Sequence, residues 1–450
     1  MNKIKKQTLL AFAATSLVFG LVACGDDSSS SVGPNDDEEI TSSSSEEDVS
    51  SSSKKDKSSS STSKEKSSSS TSKDKSSSST KKDDSSSSTK EKSSSSVKDD
   101  SSSSVKEESS SSEEDEVKII GVVFDGGDYM VPEGELRTID SKGNVSKKSL
   151  SFYQDTRVVA NGDYVYVLEG LSADNITKVR TDLISEGAKK AVVWQASFAN
   201  ANPIDMAFDG ENAWIALQNA DSLVKISTKD SDKGKVVKSI KIGEFASEGQ
   251  TAPYVADIEF ADGKLYVLMQ RYYVDSDYNY IYPKGLLAVY DGSTGDLQDT
   301  LQLLTNNPQQ MSVYNGALYI ASLGAYDGGA DDSRGLEKID LETQESKLVL
   351  SGEKLGAGLY GFVAENGIAY ATLYKAWGST PVVKIDLKKN TFESVKGVAD
   401  AQKTMFIKDG ILYVGDRSYG EEKLYVYKDK KLTVVEQPEG AQAPYSIALF

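Results

Sequence analysis

The chain has 450 residues, a formal net charge of −18, no histidine and one cysteine, Cys24. These counts exclude histidine-based acid–base catalysis, histidine or multi-cysteine metal sites and intramolecular disulfides. Acidic residues outnumber basic ones by 23 to 16 before Val117 and by 46 to 35 from Val117 onward, which argues against a nucleic-acid partner.

The first 24 residues have the pattern of an export signal. Three lysines precede an apolar run, Thr8–Val22, that is too short to span a bilayer comfortably. The run ends in Leu21-Val22-Ala23-Cys24-Gly25, which resembles the lipobox of bacterial lipoproteins. The resemblance implies that residues 1–23 are a signal peptide and that lipid on Cys24, palmitate included, anchors the protein to a membrane. An ordinary signal peptide with a chance cysteine is the alternative.

The residues after the cysteine bear on location. By the same resemblance, Gly25 is not an inner-membrane retention signal, and Asp26 and Asp27 are similar to the start of surface-exported lipoproteins. We therefore expect a lipid-anchored protein of the cell envelope. Its place would be the outer membrane, on the periplasmic side or at the cell surface.

Residues 24–116 predict a disordered tether behind this anchor. Seven serine quartets, the first at Ser58 and the last at Ser109, alternate with short charged blocks. Because apolar residues are rare and aromatic residues absent, burial cannot offset the entropy of ordering the chain. A flexible coil of this length spans roughly 50 Å. A plain spacer is the simpler interpretation, and a glycosylated stalk is the alternative.

A repeat occupies the remaining chain, 117–450. Asn-Gly or Asp-Gly pairs recur at intervals of 48, 53, 53, 51 and 43 residues, and an aromatic residue follows each pair. Such pairs favour two-residue type I′ hairpin turns, in which both central residues take a positive φ. A period of 40–50 residues with four strands each is typical of β-propellers. The paired glycines are Gly162, Gly210, Gly263, Gly316, Gly367 and Gly410.

The ends of this region predict how the ring closes. Six complete inner strands can be recognised, and the last eight residues, Ala443–Phe450, form a seventh with nothing after it. Residues 117–152 offer the three other strands of a blade, at Ile119–Phe124, Glu135–Asp140 and Val145–Leu150. We therefore predict an all-β, seven-bladed propeller in which both ends of the region share one blade, leaving no unpaired edge. The six complete inner strands are Thr156–Asn161, Ile204–Asp209, Ala256–Ala261, Gln310–Asn315, Gly361–Asn366 and Lys403–Asp409.

Two segments carry a family resemblance. Asn202–Gly210 and Asp262–Val267 resemble the YVTN-type and NHL-type propeller repeats of bacterial surface and periplasmic proteins. The resemblance implies the architecture and no particular reaction. The aromatic residues after the first turns are expected to pack between blades. Those assigned to this core are Trp214, Tyr266, Tyr319, Tyr370 and Tyr413, and Tyr166 is the aromatic residue that follows the first of the turns.

The candidate ligand site lies on one face of the predicted disc. In a four-stranded meander the first and third turns share one face, and the second loops and the blade connections share the other. The second loops are longer and rich in tyrosine and arginine, which suit recognition surfaces on a rigid scaffold. The alternative is that these side chains only pack the rim. The candidates are Arg271, Tyr272, Tyr273, Tyr278, Tyr280, Tyr282, Tyr326, Trp377, Arg417 and Tyr419.

No metal, cofactor or catalytic residue is predicted. Residues 275–279 have the opening spacing of a calcium loop but lack its glycine and its final glutamate, so a solvated loop is the better interpretation. The favoured function is a monomeric, non-enzymatic binding or scaffold domain whose ligand is a polysaccharide or a protein. An envelope assembly factor that binds another membrane protein is the second class. A glycoside-cleaving enzyme that uses a carboxylate pair is the third.

Overall fold

The computed structural model describes residues 118–126, 133–171 and 173–450. The predicted signal peptide, Cys24 and the tether lie outside these residues. Within the described part of the chain, no helix is long and apolar enough to cross a membrane.

Seven four-stranded antiparallel sheets make up this part of the chain, which is a seven-bladed β-propeller as predicted. We number the blades in chain order from the one that contains Ile119. In chain order the strands are β1 (Ile119–Asp125), β2 (Glu133–Asp140), β3 (Leu150–Tyr153), β4 (Thr156–Asn161), β5 (Tyr164–Glu169), β6 (Asn175–Arg180), β7 (Val192–Ser197), β8 (Pro203–Asp209), β9 (Asn212–Leu217), β10 (Ser222–Ser227), β11 (Val236–Lys241), β12 (Val255–Ala261), β13 (Lys264–Met269), β14 (Tyr273–Val274), β15 (Tyr280–Ile281), β16 (Lys284–Asp291), β17 (Leu297–Asn306), β18 (Pro308–Tyr314), β19 (Ala317–Ser322), β20 (Gly335–Asp340), β21 (Ser346–Ser351), β22 (Gly358–Glu365), β23 (Ile368–Tyr374), β24 (Val382–Asp386), β25 (Thr391–Ser394), β26 (Met405–Lys408), β27 (Ile411–Asp416), β28 (Lys423–Lys428), β29 (Lys431–Val435) and β30 (Pro444–Leu449).

The blades take these strands in sequence, with one exception at closure. Blade 1 has the order β3-β2-β1-β30, so its inner strand comes from the far end of the sequence. Blades 2 and 3 are β4–β7 and β8–β11, and blade 4 is β12, β13, β16 and β17. Blades 5, 6 and 7 are β18–β21, β22–β25 and β26–β29. Two short α-helices, α1 (Ala188–Ala191) and α2 (Gly352–Leu355), and three 3₁₀ turns, at Thr181–Glu186, Asp230–Asp232 and Gly243–Phe245, lie between strands.

Closure of the ring follows the predicted register. β30 pairs antiparallel with β1, with Val122 opposite Ala448 and Gly121 opposite Leu449. The predicted third strand of this blade is displaced, because Val145 makes only an isolated bridge to Ile139 and the strand begins at Leu150.

The first turns confirm the tight hairpins, with a difference in two blades. In blades 4 to 7 both turn residues have a positive φ, for example Asp262 at 50° and Gly263 at 74°. In blades 2 and 3 the residue before the glycine is still paired in the strand, Asn161 with Tyr164 and Asp209 with Asn212. The glycine therefore leads the turn there, and it takes the positive φ that the turn requires.

The core lies between neighbouring blades, where the aromatic residues of the second strands are buried. Trp214 is 0% exposed, and the ring of Tyr166 lies 5.1 Å from the ring of Phe208 in the next blade. All five predicted core aromatics are buried, so that prediction is confirmed, and Tyr166 is buried with them.

Four consecutive inner strands contain a bulge near their first residues. The register shifts between Pro203 and Asp205, Val255 and Asp257, Pro308 and Gln310, and Leu359 and Phe362. A bulge re-aims the side chains beside it. Polar side chains next to these bulges line the centre of the ring and bond to the following blade.

Candidate functional site

The second loops lie on one face, together with the blade connections and the first residues of the inner strands. We call this side the loop-rich face. Its longest second loop joins β13 to β16 and contains the small hairpin β14–β15. Several hydrogen bonds hold this loop. Arg271 Nε donates to the Phe245 carbonyl at 2.8 Å, and Asn306 Nδ2 donates to the Tyr282 carbonyl at 2.8 Å. Within the loop, the amide of Asn279 donates to Asp275 at 2.8 Å.

A continuous series of tyrosine rings crosses this face. Tyr254 stacks on Tyr272 with ring centroids 4.0 Å apart, and Tyr272 lies 6.0 Å from Tyr282. Tyr282 lies 6.0 Å from Tyr326, which contacts Tyr374 at 5.3 Å and Tyr360 at 6.0 Å. Tyr280 flanks the series beside Tyr272 and Tyr282. We call these seven residues the tyrosine row: Tyr254, Tyr272, Tyr280, Tyr282, Tyr326, Tyr360 and Tyr374.

The row contains four of the predicted site residues. Tyr280 and Tyr326 are each 45% exposed, Tyr272 and Tyr282 are partly exposed, and the ligand role of all four remains a prediction. Tyr278, Trp377 and Tyr419 are 87%, 80% and 100% exposed and lie outside the row. Tyr273, in β14, is also outside it.

Three members of the row are not among the predicted residues. Tyr254 precedes β12 in a left-handed conformation, with φ at 55°. Tyr360 lies within the bulge of β22, and Tyr374 ends β23. Blade connections place Tyr254 and Tyr360 on the loop-rich face, so a search restricted to second loops missed them.

Both candidate arginines are used within the fold. Besides the bond of Arg271 to Phe245, Arg417 donates to the carbonyls of Pro444 at 2.7 Å and Gly126 at 3.0 Å. The Arg417 guanidinium also lies 5.0 Å from the centre of the Tyr445 ring. Arg417 therefore ties blade 7 to both strands that close the ring.

The row ends at a cavity in the centre of the ring. This channel has a volume of about 320 Å³ and is lined by residues of all seven blades, Tyr360 among them. Most of these residues come from the beginnings of the inner strands, so the cavity lies toward the loop-rich face. Its ionisable lining residues are Arg157, Asp205, Asp257, Tyr360, Lys403 and Tyr445.

Two carboxyl groups in the channel bond to each other. Asp205 also accepts the amide of Ile258 at 3.3 Å, and Asp257 accepts the amide of Met311 at 2.7 Å. Loss of hydration inside the ring raises the pKa of Asp205, and it raises the pKa of Asp257 well above 3.8, with a further contribution from the Asp205 charge. A hydrogen bond between two carboxyl groups requires a proton on one of them.

Lys403 and Tyr445 face the same cavity. Enclosure within the ring, and then the nearby Arg157 charge, lower the pKa of Lys403 to about 7. The Lys403 ammonium lies 5.1 Å from the centre of the Tyr360 ring, and the Tyr445 hydroxyl donates to Asp155. The Lys403 amine therefore gives the channel a group that can donate or accept a proton near pH 7.

Metal-binding groups are not clustered in the described residues. No set of three or more histidine, cysteine, aspartate or glutamate residues there could hold a metal ion. In the loop at residues 275–279, the Asp275 carboxylate accepts the amides of Asp277 and Asn279 and stabilises its own turn.

Comparison with known proteins supports the fold. No protein-family profile and no curated protein matches the chain. A protein from Bacteroides uniformis, provisionally described as a 6-phosphogluconolactonase, is 11% identical, with a TM-score of 0.52 over 74% of this chain and 99% of its own. A protein of the same description from Bacteroides fragilis is 10% identical, with a TM-score of 0.50 over 74% and 98%. BamB from Moraxella catarrhalis is 15% identical, with a TM-score of 0.40 over 65% and 82%.

The likeness to the two Bacteroides proteins agrees with the propeller fold, and it corrects one expectation. The prediction of a non-enzymatic domain is wrong, because both Bacteroides proteins that share this fold are provisionally described as enzymes. The physical reason is that the lack of histidine removes histidine chemistry alone. Carboxyl, amine and phenol groups remain, and the channel brings five such residues together beside Arg157.

Proposed function

We propose that the propeller binds a carbohydrate on its loop-rich face, along the tyrosine row. The observation that carries this proposal is the continuity of the row from exposed Tyr280 to Tyr360 at the channel. The face of an aromatic ring is electron-rich. The C–H groups of a sugar ring carry partial positive charge, so sugar rings stack on such faces. A row of several rings suits a ligand of several sugar units.

The use of the arginines favours a carbohydrate over a protein ligand. Protein interfaces draw much of their affinity from tryptophan, tyrosine and arginine anchors. Arg271 donates through its Nε and Arg417 through both of its terminal nitrogens to backbone carbonyls of the same chain, so neither side chain is a free anchor. The most exposed aromatics, Tyr278, Trp377 and Tyr419, make no ring contact within the described residues, so they add no second row. A protein ligand remains an outcome that the test below distinguishes.

We further propose that the domain is displayed from the outer membrane on its tether, through lipid on Cys24. The lipobox-like sequence at residues 21–25 and the serine-rich segment after it support this arrangement. A tether with an r.m.s. span of roughly 50 Å would hold the loop-rich face clear of the membrane.

The test compares two single substitutions in one loop. Tyr280→Ala removes an exposed ring of the row, whereas the control Tyr278→Ala removes a ring outside it. A good aromatic anchor contributes roughly 2 kcal/mol or more, so Tyr280→Ala should weaken binding by at least about tenfold. Tyr278→Ala should leave binding unchanged. Melting curves of both variants should match that of the parent.

The readout is a glycan array probed with the full-length mature protein, followed by titration of the best binder. Equal loss in both variants would place the ligand on the loop tip instead of the row. An array without a binder, together with a specific protein captured by the parent and lost with Tyr280→Ala, would replace the carbohydrate with a protein partner.

A further inference from the structure

The central channel carries an unusual balance of charge. From Val117 onward the chain has 46 acidic and 35 basic residues. The channel nevertheless contains two cations, Arg157 and Lys403, beside a single pair of carboxyl groups. Asp205 and Asp257 are hydrogen-bonded to each other, and this bond requires a proton on one of the two carboxyl groups, so the bonded pair carries one negative charge. With Lys403 protonated, the channel therefore has one positive charge in excess.

Lys403 is the cation without a carboxylate of its own. Its Nζ makes no hydrogen bond or ion pair within residues 118–126, 133–171 and 173–450, and it lies over the face of the Tyr360 ring. Arg157 is only partly engaged, since its Nη1 donates to the Ile204 carbonyl at 3.3 Å. An ammonium held in an enclosed space without an acceptor is unfavourable, and a bound anion would relieve that cost.

We propose that the channel binds a small hydroxylated carboxylate, a sugar acid, with its carboxylate between Lys403 and Arg157. A carboxylate carries one charge and matches the excess, whereas phosphate carries nearly two at neutral pH. The Asp205–Asp257 pair can both donate and accept hydrogen bonds, which suits ligand hydroxyl groups. The cavity volume of about 320 Å³ falls in the range of small-molecule sites, roughly 300–1,000 Å³.

The same groups exclude a metal ion at this place. A divalent cation would have to displace the shared proton and would lie near Arg157 and Lys403, both of which repel it. The proposed channel site binds its ligand through charge, whereas the tyrosine row binds its ligand through ring stacking. The channel proposal therefore stands whether or not the row binds a carbohydrate.

The first test uses D-glucuronate, with D-glucose as the matched neutral probe, in isothermal titration of the mature protein. Glucuronate should bind and glucose should bind at least about tenfold more weakly. Lys403→Gln should reduce glucuronate affinity by at least about tenfold, and Lys403→Arg should preserve it. Equal binding of the two sugars, or unchanged binding by Lys403→Gln, would overturn the proposal. Tighter binding of inorganic phosphate than of glucuronate would overturn the choice of a carboxylate.

The second test is the pH profile, which a merely structural lysine would not produce. The groups that face Lys403 are Arg157, Asp205, Asp257, Tyr360 and Tyr445. Because the pKa of free Lys403 is about 7, glucuronate affinity should fall by up to about tenfold per pH unit above pH 7. Lys403→Arg should lose most of that dependence, and an unchanged profile in Lys403→Arg would contradict the assignment. The pH profile of the parent protein and its comparison of glucuronate with glucose do not depend on whether any variant folds.

Discussion

At the scale of single residues, Asp257 connects the fold to the channel. Its carboxyl group accepts the amide of Met311 in blade 5 and bonds to Asp205 of blade 3. One side chain thus joins three consecutive blades at the point where their inner strands bulge. Glu259, two residues further along β12, accepts the amide of Val313, and enclosure raises its pKa to about 7. These carboxyl groups make the stability of the ring depend on pH.

The expected dependence has a definite sign. A carboxyl group whose pKa is raised by folding holds more protons in the folded state, so stability falls as pH rises from its unfolded pKa toward its folded one. Asp257 and Glu259 both have this effect, because folding raises their pKa values from 3.8 and 4.5. Folding lowers the pKa of Lys403 from 10.5 to about 7, so above pH 7 this amine makes stability rise with pH. The measurement should therefore not extend above pH 7.

We therefore predict a higher melting temperature at pH 5 than at pH 7. Asp257→Asn should reduce this difference, because asparagine keeps the acceptor for Met311 and cannot ionise. Thermal melts by circular dichroism at the two pH values measure the effect. Asp296→Asn, at an exposed turn position, is the control and should keep the parent difference. A parent difference that persists in Asp257→Asn would rule out this carboxyl group as its source.

At the scale of single elements, β30 decides whether the ring closes. Its Ile447, Ala448 and Leu449 are at most 7% exposed and pack into two neighbouring clusters of the core. Burial of an aliphatic side chain contributes roughly 1.5–3 kcal/mol for the larger ones, so losing β30 costs on the order of 5 kcal/mol. That is comparable to the whole stability of many domains, about 5–15 kcal/mol.

Ending the chain at Gly440 should therefore leave the domain insoluble or lower its melting temperature strongly. The control ends at Leu449 and loses only Phe450, so it keeps β30 and should melt near the parent temperature. Differential scanning calorimetry of the soluble fractions makes the comparison. A Gly440-terminated protein with the parent melting temperature would contradict a role of β30 in stability.

The sequence predicts the elements better than it predicts the site. Hairpin turns and aromatic positions repeat at fixed offsets, so one recognised blade locates the others. The repeat does not locate the third strand of blade 1 correctly. Residues 146–149 are polar, and Arg137 donates to the carbonyls of Ser146 and Lys147 instead of leaving them to a strand ladder. The repeat does not predict the bulges either, since an extra residue in one strand cannot be recognised from the spacing of the turns.

The site depends on those bulges and on contacts between blades. Asp205 and Asp257 are about 50 residues apart in sequence and meet only because successive blades align their inner strands. Tyr360 meets Tyr326 because the second loop of one blade and the start of the next inner strand lie on the same face. The loop tyrosines could be found from composition, whereas the carboxyl pair and Lys403 could be found only from the closed ring.

At the scale of the whole molecule, the proposed lipid anchor sets where the propeller works. Cys24 is the only cysteine of the chain, so a single substitution would remove the proposed attachment point. We predict that Cys24→Ser abolishes metabolic palmitate labelling and leaves uncleaved or soluble protein. Cell fractionation of the parent and the variant shows the redistribution, with Ser28→Ala as a control in the adjoining segment. Palmitate labelling that persists in Cys24→Ser would refute the lipoprotein assignment.

The position of β1 has a mechanical consequence. The chain enters the propeller at Ile119, and β1 is bonded on one side to β2 and on the other to β30. A pull along β1 from the N-terminal side therefore loads two ladders in shear, and their hydrogen bonds share the force instead of opening one after another. A strand at the outer edge of a blade would have only one ladder to resist the same pull. Tension applied through the preceding chain thus acts on the strand that the ring holds from both sides.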